Sequence, residues 1–201
     1  MLVKWIRCRV TDRTGFERGQ REWAALFGEP GFRGQGGGWG RGRPDEAHIF
    51  CFWENRSYYD MFMAGPHDGI AMAQAGTYDR MDVRLFEQRQ EVKIGFRAVF
   101  SDADLVRAAH CRVRPSQVEH FMLMQEKVWN PAMAGSPGML RGIFAEGAGS
   151  EFLVLSMWDS AAERAKYRDA AVGRLEERAG LGEDVLSVAG EIVDVVQAWT
   201  V

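Results

Sequence analysis

The chain has 201 residues, 46% of them hydrophobic and 26% charged, with a formal net charge of −3. That length can bury a substantial core in one large or two small domains, and the composition is not that of a disordered chain. The slightly acidic balance argues against a general nucleic-acid binder, and no apolar run approaches the roughly 20 residues of a membrane helix.

In chain order, "LVKWIRCRV" alternates, with Leu2, Ile6, Cys8 and Val10 on one face and Val3, Trp5, Arg7 and Arg9 on the other, which is a strand pattern. Lys4 and Arg7 also interrupt any secretory-type apolar opening. "RTGFERGQREWAALF" spaces Phe16, Gln20, Trp23 and Phe27 along one side of a helix. The glycine-rich "GQGGGWGRGR", residues 34–43, follows "PGF". It fits neither the dinucleotide pattern G-x-G-x-x-G nor a P-loop, and no helix start follows it. It reads better as a bent strand and hairpin in which something bulky packs on bare backbone. "AHIFCFW" is the next strand, and Asn55 is an N-cap for a helix carrying Tyr58, Tyr59 and Phe62. In "GPHDGI", His67 and Asp68 are either an oriented acid/base pair or a helix-end cap. "MDVRLFE" is a further strand, and "EIVDVVQAWTV" is the last one. Between them, Ser116 with Glu119 and Ser160 with Glu163 have capping-box spacing.

The two halves match in order. "CRV" at Cys8–Val10 recurs at Cys111–Val113, "EPGF" recurs as "SPGM", and "HIFCFWENRSYY" recurs as "LVLSMWDSAAER", placing Trp53 on Trp158. Partners stay about 103 to 107 residues apart, the mark of a tandem duplication with loop indels. Each copy reads β-α-β-β-α-β. The expected fold is therefore α+β: two tandem ferredoxin-like repeats, residues 1–88 and 105–201, joined by a linker at 89–104 and packed sheet to sheet.

With Cys8 and Cys51 assigned to the helix side, the opposite face of the first sheet carries Trp5, Arg7, Arg9, His48, Phe50, Phe52, Arg84 and Phe86. Gln35 and Trp39 join this face if the glycines do not shift the register. The matching face of the second repeat holds His110, Arg112, Leu153, Leu155 and Met157 and is mostly apolar. Arginine is costly to bury unpaired, so the first face is better explained by a wet pocket than by a plain core. Its candidate chemistry is His48 as base, with Arg7 and Arg84 as anion partners. Trp5, Gln35, Trp39, Phe50, Phe52 and His67 are the candidate ligand-binding residues. The histidines show no metal-ligand spacing, and neither a metal nor a cofactor is expected. Three cysteines without CxxC spacing (Cys8, Cys51, Cys111) read as core residues, with the cytoplasm as the default compartment.

On the repeat, on "PGF" before the second strand and on "FWENRSYYDMF" and "MWDSAAERAKY", the chain resembles the dimeric α/β-barrel superfamily, in its antibiotic-biosynthesis-monooxygenase-like branch. "KWIRC", "GQGGGW", "AHIFCFW" and "HDGI" resemble more narrowly an uncharacterised bacterial YdbC-like family. The fold carries many unrelated functions. Haem-degrading members use an asparagine on the first strand, a tryptophan on the second helix and a histidine beyond it. Here those places fall at Trp5 or Arg7, at Phe62 and Tyr167, and near Met72 and Glu177, so the resemblance does not extend to haem degradation. Two readings follow. One is a barrel that binds a small aromatic or apolar molecule between its sheets without catalysis. The other is a cofactor-independent monooxygenase-like enzyme acting on an aromatic or enolisable small molecule. A tandem chain can close the barrel alone or pair with a second copy through exposed strand edges.

Overall fold

The computed structural model describes residues 1–93 and 95–201, and the chain divides into two compact units. Unit 1 comprises Met1–Leu85, Ala98–Ser101 and Val193–Val201; unit 2 comprises Phe86–Arg97 and Asp102–Ile192. Unit 1 runs β1 (Leu2–Val10), α1 (Arg13–Arg21), β2 (Phe32–Gly40), β3 (Arg43–Trp53), α2 (Arg56–Ala64), a short α3 (His67–Ala71) and β4 (Tyr78–Glu91). The second repeat supplies β5 (Leu105–Val113), α4 (Val118–Met124), α5 (Asn130–Ala134), β6 (Met139–Glu146) and β7 (Glu151–Trp158). It ends with α6 (Ala161–Tyr167), α7 (Gly173–Ala179), α8 (Leu181–Asp184) and β8 (Val185–Val195). The tandem ferredoxin-like α+β architecture is the one the sequence calls for.

The repeat boundaries are less simple than a cut at 88 and 105. In unit 1 the strand order is β4-β1-β3-β2, and the last residues of β8 pair with β2, Gly38 opposite Val195 and Gly40 opposite Val193. In unit 2 the order is β8-β5-β7-β6, and the last residues of β4 pair with β6, Glu87 opposite Glu146. Each unit therefore takes its fifth strand segment from the end of a long strand. Part of the expected linker, Ala98–Ser101, belongs to unit 1, and its position 94 lies outside the described residues.

The glycines of β2 are explained by what lies against them in unit 1. A Cβ on Gly36 would stand 2.2 Å from Cγ of Phe100, and one on Gly38 would stand 1.8 Å from the Asp194 carbonyl oxygen. Phe100 is fully buried and packs on Phe52, ring centroids 6.0 Å apart. The stretch is a strand stripped of side chains so that a linker phenylalanine and the β8 end can close on its backbone.

Register decides the faces. β1 pairs with β3 so that Trp5 faces Phe50 and Arg7 faces His48. β2 pairs with β3 with Gln35 opposite Cys51 and Trp39 opposite Ala47, after a bulge between Phe32 and Gly34. Gln35 and Trp39 thus point to the helix side, which corrects their assignment to the opposite face. Trp39 packs there on Phe16 and Trp199. Phe86 belongs to unit 2, where it packs against His110.

Local signals mostly hold. The Asn55 side chain accepts from Tyr58 N, and Ser160 accepts from Glu163 N, as capping residues do. Ser116 instead sits in a 3₁₀ turn, Pro115–Gln117, and α4 begins beyond it without a side-chain cap. Phe27 is 86% exposed because α1 tightens into a 3₁₀ turn after Arg21, and the change of pitch brings Leu26 onto the core instead. The final segment leaves the sheet after Val195, and a 3₁₀ turn delivers Trp199 to the unit 1 core.

Gly36→Ala should destabilise the protein by about 2–3 kcal/mol, because the added methyl meets an aromatic ring rather than a flexible chain end. Chemical denaturation of the variant measures this. A loss no larger than that of a surface Gly42→Ala control, where nothing lies within 4 Å of the added carbon, contradicts the packing account.

Candidate functional site

The residues expected on the open sheet face of unit 1 do assemble, but as a closed stack. Trp5, His48, Phe50 and Phe52 are each at most 1% exposed, and Trp5 stacks on both His48 and Phe50 at 5.9 Å. The Trp5 Nε1–H donates to His48 Nδ1 at 3.3 Å, and His48 Nε2 lies 3.2 Å from Glu46 Oε1. Burial, with the charges of Arg7 and Arg43 added, lowers the His48 pKa to about 4. The ring is neutral at pH 7, with Nδ1 held by Trp5 and Nε2 near Glu46 but without a hydrogen bond among the described residues. Arg7 is bonded to Asp82, and Arg84 Nε lies 3.6 Å from the same carboxylate. Burial alone would raise the Asp82 pKa, but the hydrogen bond and charge of Arg7 and the charge of Arg84 hold it below 3.8. Arg7 and Arg84 thus share the Asp82 carboxylate, and His48 is held by Trp5.

A polar pocket of about 250 Å³ lies beside Arg7, Arg43, Glu46 and Asp82, and a larger space in unit 1 lies on the other side of the sheet, between it and α1, α2 and α3. A cavity of about 360 Å³ is walled there by Phe16, Trp23, Trp53, Tyr59, Phe62 and Tyr78. Gln35 and His67 line it, and Trp39 lies beyond it in the surrounding core. The site set read from sequence therefore splits between the two faces of one sheet.

At the floor of this cavity is a residue the sequence reading left aside. Lys4 is only 6% exposed, and its Nζ lies 3.8 Å from Met63 Sδ and 5.3 Å from the centre of the Tyr59 ring. No carboxylate lies within ion-pair distance of it among the described residues. Burial lowers its pKa from 10.5, partly offset by Cys51 and Cys8. Those thiols are themselves pushed up to about 12 by burial, so neither supplies a thiolate near neutrality.

Two buried amides complete the floor. Gln35 Oε1 accepts from Cys51 Sγ at 2.8 Å while Gln35 Nε2 has no partner among the described residues. Gln20 Oε1 accepts from Gln74 Nε2 at 3.0 Å, and Gln20 Nε2 is likewise without one. At the rim, His67 Nδ1 lies 2.8 Å from Asp68 Oδ1, and its ring packs between Trp23 and Phe62. The pair stands at the start of α3, not at the end of a helix. The signal for Lys4 was in the strand alternation, which puts it on the Cys8 side.

Residues 2–86 match DUF4937, a domain of unknown function. Over 74 residues the chain is 40% identical to the uncharacterised protein YdbC of Bacillus subtilis (strain 168), a match spanning 35% of this chain and 62% of that protein. Among solved structures it superposes on a Lactobacillus acidophilus NCFM protein assigned to the monooxygenases, with a TM-score of 0.73 at 15% identity over 96% of this chain and 93% of the other. An anthrone oxidase-like protein gives 0.70 at 14% identity, over 97% and 91%. A ferredoxin-fold protein related to antibiotic biosynthesis monooxygenases, from Listeria monocytogenes 4b F2365, gives 0.55 at 9% identity, over 98% and 96%. The fold is that of the dimeric α/β barrels. The DUF4937 match covers the repeat that holds Lys4, His48 and the helix-side cavity. Among the described residues no helix is long and apolar enough to cross a membrane.

The His48 environment has a pH signature. Its folded pKa, about 4, lies below the ordinary 6.5, so its contribution to stability is full above pH 6.5 and is lost as pH falls toward 4. Between pH 6.5 and 5 the protein should lose roughly 1–2 kcal/mol, and His48→Gln should flatten that slope. Denaturant titrations at several pH values measure it, and equal slopes in the two proteins refute the assignment.

Proposed function

We propose that the protein binds a small aromatic molecule carrying acceptor oxygens, in the cavity between the sheet and helices of its first repeat. One observation carries this reading: the buried Nε2 groups of Gln20 and Gln35 have no acceptor among the described residues, Lys4 Nζ has the Met63 thioether in place of an oxygen, and all three residues line one aromatic-walled cavity. An unmatched buried donor costs about 1–3 kcal/mol and a buried charge more, and a ligand oxygen offsets both. The volume is in the range of ordinary small-molecule sites. The location expected from sequence, the face away from the helices, gives way to this one. Trp5, His48, Phe50 and Phe52 become the packed support beneath the site.

A second reading is favoured by His67 and Asp68 at the rim. A histidine oriented by a carboxylate beside an aromatic cavity with a cation at its floor has the parts for ionising a phenol or enol and holding the anion. That is the first requirement of a cofactor-independent oxygenation. The fold shared with an anthrone oxidase-like protein and with proteins assigned to the monooxygenases supports the same direction. In this role His67 replaces His48 as the base, and Lys4 replaces Arg7 and Arg84 as the anion partner.

Calorimetric titration with 2-naphthol tests the binding reading. Lys4→Met should weaken binding about tenfold or more, and Gln35→Leu by a smaller factor. Unchanged affinity in both variants refutes the site. Oxygen uptake with anthrone separates the two readings. Turnover that falls in His67→Ala while 2-naphthol binding persists supports the enzyme, and no uptake by the intact protein supports a binding role alone.

A further inference from the structure

We propose that the second repeat carries its own ligand site, built for a small carboxylate with an apolar body, in the cavity between its sheet and helices. This inference is independent of the reading of the first repeat. The two repeats share a frame but not a chemistry. "LVKWIRCRV" and "LVRAAHCRV" align without a gap, which places Arg107 where the first repeat has Lys4. The Trp53 and Trp158 alignment places Ser156 on Cys51, Arg164 on Tyr59 and Tyr167 on Phe62. Every change replaces an apolar or single-point group with a stronger or forked hydrogen-bond donor.

All four of those residues line one cavity of about 130 Å³ inside unit 2, with Trp129, Met133 and Val154 among its apolar walls. Arg107 Nη1 donates to the Ala108 carbonyl, which uses one of its five N–H groups. No carboxylate lies within ion-pair distance of Arg107 or Arg164 among the described residues. Burial lowers the Arg107 pKa to about 10, and the neighbouring Arg164 charge adds to the effect, with Cys111 and Glu191 offsetting part of it. Tyr167 is 92% buried, its relative exposure being 8%, and its hydroxyl has no partner among the described residues. Ser156 Oγ accepts from Trp158 Nε1 at 2.9 Å, which leaves its own proton to donate.

Two guanidinium groups against one small cavity repel each other, and an unbonded buried hydroxyl adds a further penalty. An anion relieves all of it. A carboxylate matches the planar fork of arginine and accepts from the tyrosine as well. The apolar walls require a carbon body on the ligand. Glu176, also lining the cavity, disfavours a doubly charged phosphate.

Titration calorimetry on the full chain with benzoate, benzamide and inorganic phosphate tests this, run in the unmodified protein and in Lys4→Met so that the first-repeat cavity does not report. Benzoate should bind in both backgrounds, about tenfold or more tighter than benzamide or phosphate. Arg107→Met should lower benzoate affinity at least about tenfold, Arg107→Lys should restore part of it, and Tyr167→Phe should lower it several-fold. If Arg107→Met fails to fold, Tyr167→Phe and the benzoate–benzamide ratio still decide. Equal binding of benzoate and benzamide, stronger binding of phosphate, or benzoate affinity unmoved in Tyr167→Phe overturns the proposal. Binding that disappears with Lys4→Met alone also overturns it, because the ligand then sits in the first repeat.

Discussion

A buried lysine with no carboxylate within ion-pair distance among the described residues, held among aromatic rings on the helix face of a sheet, is the constraint around which the first repeat is organised. Moving such a charge out of water is unfavourable by several kcal/mol unless something answers it. The Lys4 amine lies against a thioether and a tyrosine ring, with the Cys51 and Cys8 thiols also near it. A side chain of that length would ordinarily extend to solvent. Here α1, α2 and α3 close over it, and Gln20, Gln35 and His67 surround the remaining space. The cavity is thus polar at its floor and apolar at its walls, the arrangement that orients a ligand by its oxygens and holds it by its rings.

The other face of the same sheet is what keeps that arrangement rigid. Trp5 alternates with Lys4 along β1, so the residue beside the buried cation anchors the opposite side in a stack with His48 and Phe50. Phe100, carried by the segment between the repeats, settles on Phe52 and on the bare backbone of Gly36. Cores packed this closely do not deform to accept a ligand. The proposed site lies on the helix side, where side chains leave room. The second unit keeps the frame and exchanges the lining, with Arg107 in the place of Lys4 and Tyr167 in the place of Phe62.

Much of the architecture was legible in the sequence because it rests on short-range rules. Alternation located β1, β3 and β4, capping chemistry located α2 and α6, and the spacing of Trp53 and Trp158 revealed the duplication. The glycine stretch was read correctly as backbone awaiting a bulky neighbour, although nothing local named Phe100 as that neighbour. Errors came where a tertiary or helical detail overrode the local pattern. A bulge after Phe32 turned Gln35 and Trp39 to the helix side. A tightened turn exchanged Phe27 for Leu26. The charged face shows the same limit: Arg7 looks unpaired in sequence until the register brings Asp82, on β4, beside it. A lone lysine in an alternating strand looks solvent-bound until helices cover it. Pairing and burial are long-range outcomes, and one-dimensional patterns do not carry them.

The central claim is that Lys4 is a buried cation awaiting a ligand oxygen. The chain has four lysines, Lys4, Lys93, Lys127 and Lys166, few enough for each side-chain amine to be followed by NMR across a pH titration. In the free protein one resonance, removed by Lys4→Met, should titrate below the ordinary 10.5, and adding 2-naphthol should raise its pKa while leaving the other three in place. Four lysines that titrate alike, with none responding to the aromatic ligand, contradict the account.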